Sequence, residues 1–209
     1  MNAVEIETPH GPARAHVGGE GARGTLVLGH GAGGGVGAKD LVASARAAGS
    51  EGLGVVLVEQ PYRVAGRRSP APAAQLDTAW LAVVDRLRAD GVIRGLLVVG
   101  GRSSGARVAC RTAAATGAAG VICLAFPLQP PRRAGSKPAP TRLPELDAVV
   151  VPVLVVQGES DPFGMPPAGP ARRVVRVKGT HSLTSDLGAV GEAVSAWLDG
   201  LLDAGRILT

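Results

Sequence analysis

The sequence predicts an α/β domain built on a mostly parallel, doubly wound sheet, and three observations predict it. Short valine- and leucine-rich runs recur along the 209 residues at 25–28, 55–58, 96–99, 121–124, 153–156 and 174–177, each bounded by glycine or proline. Continuous apolar runs of this length suit strands buried on both faces, the environment of a parallel sheet. Between them lie helix-period patterns: Leu76, Trp80, Val83 and Leu87 form one face, and Leu187, Val190, Val194, Trp197 and Leu201 another. The 31 glycines cluster at the junctions, where tight turns between strand and helix need them.

The elements follow in order. Residues 4–7 and 13–17 flank Thr8-Pro9-His10-Gly11-Pro12, a turn-rich break that reads as an antiparallel hairpin before the parallel part begins. The strand at 25–28 runs into a glycine loop, and those at 55–58, 96–99, 121–124, 153–156 and 174–177 alternate with helices, as right-handed crossovers require. Trp80 and Trp197 read as core anchors. Residues 127–144 break the rhythm with six prolines and the basic residues Arg132, Arg133, Lys137 and Arg142. Such a stretch cannot be a regular helix, and a long loop inside a compact domain is usually functional or disordered.

Length and composition bound the function. A chain of 209 residues, 45% hydrophobic, suits one domain spanning 1–209 with a core that buries roughly 70% of its unfolded surface. Neither a metal nor a disulfide is needed for stability, and no cofactor is implied. The net charge of +5 is carried almost wholly by arginine, since the only lysines are Lys39, Lys137 and Lys178. With aromatic residues at 2%, the stacking platform of a nucleic-acid binder is missing. No run approaches the length of a membrane span, and residues 1–7 do not read as a secretion signal. Cys110 and Cys123 fall in apparent helix and strand interiors rather than in a paired motif, which suits reduced, buried thiols and a cytoplasmic location.

The chemistry-bearing residues gather at predicted carboxyl ends of strands. After the strand at 96–99 comes Gly101-Arg102-Ser103-Ser104-Gly105 and then a helical stretch. A serine on so sharp a turn needs bare glycines on both sides, so that strand and helix can pass closely. A serine hydroxyl also needs a base, and the base an orienting acid. Asp161, in Gly158-Glu159-Ser160-Asp161-Pro162, follows the strand at 153–156, and His181 follows the last strand. The order Ser103, Asp161, His181 is that of a known hydrolase triad. Glu159 is the substitute acid.

The loop Gly29-His30-Gly31-Ala32-Gly33-Gly34 admits two readings. Gly29, Gly31 and Gly34 mimic a dinucleotide fingerprint, but Glu59 lies 30 residues beyond Gly29, where about 20 is usual. The second reading is an oxyanion loop, in which the Ala32 amide pairs with that of Ser104. His30 then holds the loop and is not the base. Two arginine groups, Arg63 with Arg67 and Arg68, and Arg132 with Arg133, follow strands expected to end beside the nucleophile strand. Arginine forks bind carboxylates and phosphates bidentately, so Arg67 and Arg68 are the favoured candidates for holding an anionic portion of the substrate.

On Gly29-His30-Gly31-Ala32-Gly33, Ala65-Gly66-Arg67-Arg68-Ser69-Pro70, Gly100-Gly101-Arg102-Ser103-Ser104-Gly105-Ala106-Arg107, Ala125-Phe126-Pro127-Leu128 and Gln157-Gly158-Glu159-Ser160-Asp161-Pro162-Phe163-Gly164, the chain resembles the α/β-hydrolase superfamily. Within that superfamily it looks like the small bacterial branch akin to dienelactone-hydrolase-like proteins, related to testis-expressed protein thirty and the third subunit of the NSL histone-acetyltransferase complex. The resemblance implies an α/β-hydrolase fold without a large cap and a triad of Ser103, Asp161 and His181. Dienelactone hydrolases proper use a cysteine where this chain has Ser103. The expected activity is hydrolysis of a small ester, thioester or amide through an acyl-enzyme, with a small-molecule substrate and no nucleic-acid or membrane partner. The alternative is a noncatalytic interaction module on the same scaffold, since the eukaryotic relatives act within a complex.

Overall fold

The computed structural model describes residues 1–131, 135, 137 and 139–206. Its strands are β1 (Asn2–Ile6), β2 (Ala13–Val17), β3 (Gly24–Gly29), β4 (Leu53–Glu59), β5 (Leu96–Arg102), β6 (Gly120–Leu124), β7 (Val153–Gly158) and β8 (Arg172–Val177). They form one sheet in the order β1-β2-β4-β3-β5-β6-β7-β8. The first two strands pair antiparallel, β2 pairs antiparallel with β4, and the other six strands run parallel. This is the predicted doubly wound sheet with its N-terminal hairpin, and among the described residues no large cap covers it.

The helices are α1 (Lys39–Ser50), α2 (Pro61–Val64), α3 (Ala73–Ala89), α4 (Ser104–Thr116), α5 (Leu143–Asp147) and α6 (Leu187–Arg206). Strand alternation divides the core into two layers, because successive side chains point to opposite faces. Val27, Val56 and Val99 meet Trp80 of α3 and Ala109 of α4 on one face. Leu26, Leu28 and Val98 meet Leu41 of α1 and Val194 and Trp197 of α6 on the other. Both tryptophans lie in the core, as expected. The buried stripe of α6 runs through Leu198 and Leu202, with Leu201 only partly buried against it. The proline-rich stretch ends in a short helix after all: Pro144 sits in the first turn of α5, where its missing N–H has no intrahelical acceptor to lose.

Cys110 on α4 and Cys123 on β6 are free, buried thiols with their sulfurs 3.4 Å apart. Among the described residues no helix is long and apolar enough to cross a membrane. Doubly wound topology gathers the loops after β3, β5, β7 and β8 at one edge of the sheet, where sites form in open parallel sheets.

Candidate active site

Ser103 joins β5 to α4 with φ 52° and ψ −107°. Holding a side chain there costs of order 1–3 kcal/mol, and the surroundings must impose it. They do so by close packing. A Cβ on Gly101 would fall 2.5 Å from the Gly29 carbonyl oxygen, and one on Gly105 would overlap that same atom. The glycines therefore let β3, β5 and α4 converge under the serine, and the Ser103 amide is fixed by donating to Leu124 O at 2.9 Å.

Three residues from three loops meet above this turn. His181 places Nε2 2.9 Å from Ser103 Oγ and Nδ1 2.9 Å from Asp161 Oδ2. With its proton on Nδ1 donated to the carboxylate, the ring presents the Nε2 lone pair to the serine hydroxyl. The Asp161 side chain is fully buried, yet it accepts from the Phe163 amide at 2.9 Å through Oδ1 and from Gln157 Nε2 at 2.8 Å through Oδ2. Gln157 also donates to Phe126 O and Gly164 O, tying the acid loop to the loop after β6. The Phe163 ring lies against the His181 ring, with centroids 4.4 Å apart. Glu159 is exposed and takes no part in this chain of hydrogen bonds.

The glycine loop lies against the nucleophile: a Cβ on Gly31 would come 3.6 Å from Ser103 Cβ. His30 is buried and receives the Gln60 amide at Nε2 (3.1 Å), so its proton sits on Nδ1 and is donated to Gly31 O at 2.8 Å. Burial pushes the His30 pKa below its ordinary value, more than the bond to Gly31 raises it. Gly31 O also accepts from the Gly34 amide. Because the peptide is trans, the Ala32 N–H points away from these donors. Tyr62 of α2 pins the next peptide by donating to Ala32 O at 3.0 Å. Ser104 opens α4, so its amide is one of the four without an intrahelical acceptor.

The structure does not bring the arginines into this cluster. Strand β3 stands between β4 and β5, so the strand preceding Arg63, Arg67 and Arg68 does not end beside the nucleophile strand, contrary to the sequence expectation; only β6 does. Gly66, at φ 73°, turns the chain after α2 and leaves Arg67 and Arg68 exposed. Arg63 donates to Arg67 O at 3.4 Å and keeps a buried Nε without a partner among the described residues. Arg132 and Arg133 lie outside the described residues.

Several residues of the site carry no sequence motif. Gln157 and Phe163 are within the acid segment, and a polar side chain ending a strand as apolar as 153–156 is the signal that marks Gln157. Arg102, Asp40 and Tyr62 become visible only when distant loops meet. A cavity of about 270 Å³ opens beside the acid loop, lined by Leu128, Pro130, Pro131, Pro162 and Phe163. A larger one of about 1010 Å³, between α1 and α6, contains no triad residue.

A family model described as the alpha/beta hydrolase domain matches residues 22–176, most of the chain. The protein belongs to the α/β-hydrolase family. A sequence comparison with the curated proteins finds no match. Among solved structures, this hydrolase is similar to the lidless α/β serine hydrolase XC6422 of Xanthomonas campestris, at 22% identity over 94% of each chain and a TM-score of 0.69. It is also similar to Est1E of Butyrivibrio proteoclasticus, at 17% identity over 97% of this chain and 100% of that one, TM-score 0.76. The dienelactone hydrolase of Anabaena variabilis matches at 16% identity over 95% of this chain and 96% of that one, TM-score 0.73. At these identities the likeness establishes the fold alone.

Proposed function

We propose that this α/β hydrolase cleaves a small ester, thioester or amide through an acyl-enzyme. The observation that carries the reading is the continuous bond chain from Asp161 through His181 to Ser103, with both links at 2.9 Å. Ser103 Oγ attacks the carbonyl carbon while His181 Nε2 takes its proton. The proton passes to the leaving group as the acyl bond breaks, and a water then repeats the sequence to release the acid. Asp161 holds the imidazole and stabilises its charged form. The Ala32 and Ser104 amides receive the developing oxyanion, each donor being worth roughly 2.7 to 4 kcal/mol.

The substrate has two recognised parts in this reading. Arg67 and Arg68 hold an anionic portion, and the cavity beside Phe163, walled by prolines and Leu128, takes an apolar acyl group. A structure of Est1E holds ferulic acid, an aromatic acid, which supports the second assignment. Kinship with testis-expressed protein thirty and the third NSL subunit, on the motifs at 29–33, 65–70, 100–107, 125–128 and 157–164 together, belongs to the same proposal, as does a cytoplasmic location.

The test is a fluorophosphonate probe at neutral pH, run beside a screen of esters, thioesters and amides on wild type and Ser103→Ala. One adduct on Ser103 and ester turnover that Ser103→Ala abolishes support the reading. No adduct and no turnover, or an adduct on Ser104 or Ser182, overturns it in favour of a noncatalytic scaffold or another nucleophile.

A further inference from the structure

Arg102 stands between Gly101 and Ser103, a position that the hydrolase motif leaves open. Along β5, Val98 faces the layer of α1 and α6, and alternation sends Gly100 and Arg102 to that same face. The guanidinium there reaches three segments at once. Its Nε lies 2.9 Å from Asp40 Oδ2. Its Nη2 donates to the main-chain carbonyl of His181 at 2.9 Å. Its Nη1 packs so tightly on the glycine loop that a Cβ at Gly31 would come within 2.8 Å. Asp40, in the first turn of α1, has a side chain only 1% exposed and fixes its other oxygen by accepting from the Leu41 amide. Burial pushes the Asp40 carboxyl pKa up, and the Arg102 charge pulls it back.

Resting on the triad reading, we propose that Arg102 is a positioning residue for catalysis, clamping the main chain of His181 and the oxyanion loop to the nucleophile turn, with Asp40 as its buried anchor. The loop gripped is tied at its start by the Ser160 amide on Gly179 O at 3.0 Å and turned by the Leu183 amide on Thr180 O at 3.1 Å, with Leu183 at φ 50°, and Arg102 adds the bond to the carbonyl of His181 itself. A planar fork with five donors can hold a carboxylate and a carbonyl in one fixed geometry; a lysine ammonium cannot. The carbonyl it holds belongs to the residue whose ring must bridge Ser103 and Asp161, so a slip of the loop is passed directly to Nε2.

The experiment compares wild type with Arg102→Gln, Arg102→Lys and Asp40→Asn, using p-nitrophenyl acetate turnover, fluorophosphonate labelling rate, thermal melts and the low-field proton NMR signal of the His181 Nδ1–H. A misplacement of about 1 Å can cost about 100-fold in rate, so Arg102→Gln should lose about ten- to hundredfold in kcat and labelling rate with KM within about twofold. Arg102→Lys recovers only part of that loss, Asp40→Asn loses less, and the Nδ1–H signal shifts or broadens in each. Full recovery by Lys, unchanged kcat, or a rise in KM alone overturns the clamp. If wild type neither turns over nor labels, the proposed function fails while the NMR signal still decides the clamp: a signal unchanged in all three variants of a folded protein refutes it. Should Arg102→Gln not fold, Lys and Asp40→Asn carry the same comparison.

Discussion

The two rims of the site differ in how their side chains are held. On the acid and histidine rim, Asp161 accepts from His181, Gln157 and the Phe163 amide, and Arg102 grips the His181 carbonyl. On the turn after α2, proposed as the arginine rim, the main chain is fixed, with the Arg67 amide donating to Tyr62 O at 2.8 Å, but Arg67 and Arg68 reach into solvent and the structure does not bring them into the triad cluster. Ordering one such side chain costs about 2 kcal/mol of rotamer entropy, and a substrate must supply it. In the proposed reading, reaction class rests on preorganised, desolvated groups and substrate choice on groups that settle only on binding.

The largest effect that could break this contrast is at the nucleophile. Ser103→Ala should lower kcat by at least about a thousandfold on whichever ester the screen identifies, with a melting temperature close to wild type. Retained turnover would move the chemistry off the preorganised rim altogether.

Gln157 tests whether that rim is rigid because of the three bonds its amide nitrogen donates. Gln157→Leu strips the donor from Asp161 Oδ2, Phe126 O and Gly164 O, previously bonded at 2.8, 3.1 and 2.9 Å. Gly164 O, left bare, costs roughly 1–3 kcal/mol, while Asp161 Oδ2 keeps the His181 bond and Phe126 O keeps the Leu128 amide. In a domain of this size each kcal/mol lowers Tm by about 2–4 °C, so the melt should fall by several degrees and kcat by about tenfold. An unchanged melt with an unchanged rate would mean water replaces the amide, and the rim is less dry than its burial indicates.

The same contrast explains what was legible in the sequence. Strands β3 to β7 announce themselves because a strand buried on both faces leaves little room for polar residues, β8 is a half-exposed edge strand marked by its valines alone, and Gly101, Ser103 and Gly105 are legible because the turn sterically demands them. Asp161 and His181 follow from their places after consecutive strands. Strand order is harder: β4 and β5 look like neighbours of the nucleophile edge from spacing alone, yet β3 is inserted between them, which displaces the arginine turn from Ser103. Asp40 and Arg102 are 62 positions apart in chain and 2.9 Å apart in space, a pairing that only the crossing of α1 over β5 creates. Tyr62 is similarly mute, its role arising from where Ala32 O is turned.

A smaller effect sharpens the comparison at the arginine rim. Arg67→Ala should reduce kcat/KM for a carboxylate-bearing ester by about tenfold, the value of a charge-assisted contact of roughly 1.5 to 3 kcal/mol, and leave a matched neutral ester within about twofold. Its melt should not move, in contrast to Gln157→Leu. Equal losses on both esters would return Arg67 to the solvent-facing surface.

The smallest effect lies between the rims, at His30, and it is read in stability rather than rate. The ring is 2% exposed, and Nε2 already accepts the Gln60 amide, so protonation would both bury a charge and cost that bond. Burial, aided by the Arg63 charge, holds its pKa below the ordinary 6.5, while Gly31 O and Glu59 act in the opposite sense. Below pH 6.5 the unfolded chain takes up a proton that the folded ring refuses, so the unfolded state binds more protons and stability must fall as pH falls. That contribution is fully present above the unfolded value and is lost progressively toward the lowered folded one. Thermal melts between pH 7.5 and pH 5 should therefore slope downward in wild type, and His30→Asn, although less stable at pH 7.5, should show a shallower slope. Parallel slopes would show that the ring takes its proton in the folded state, and the pinning of Gly31 O, with the direction it gives the Ala32 amide, would need another source.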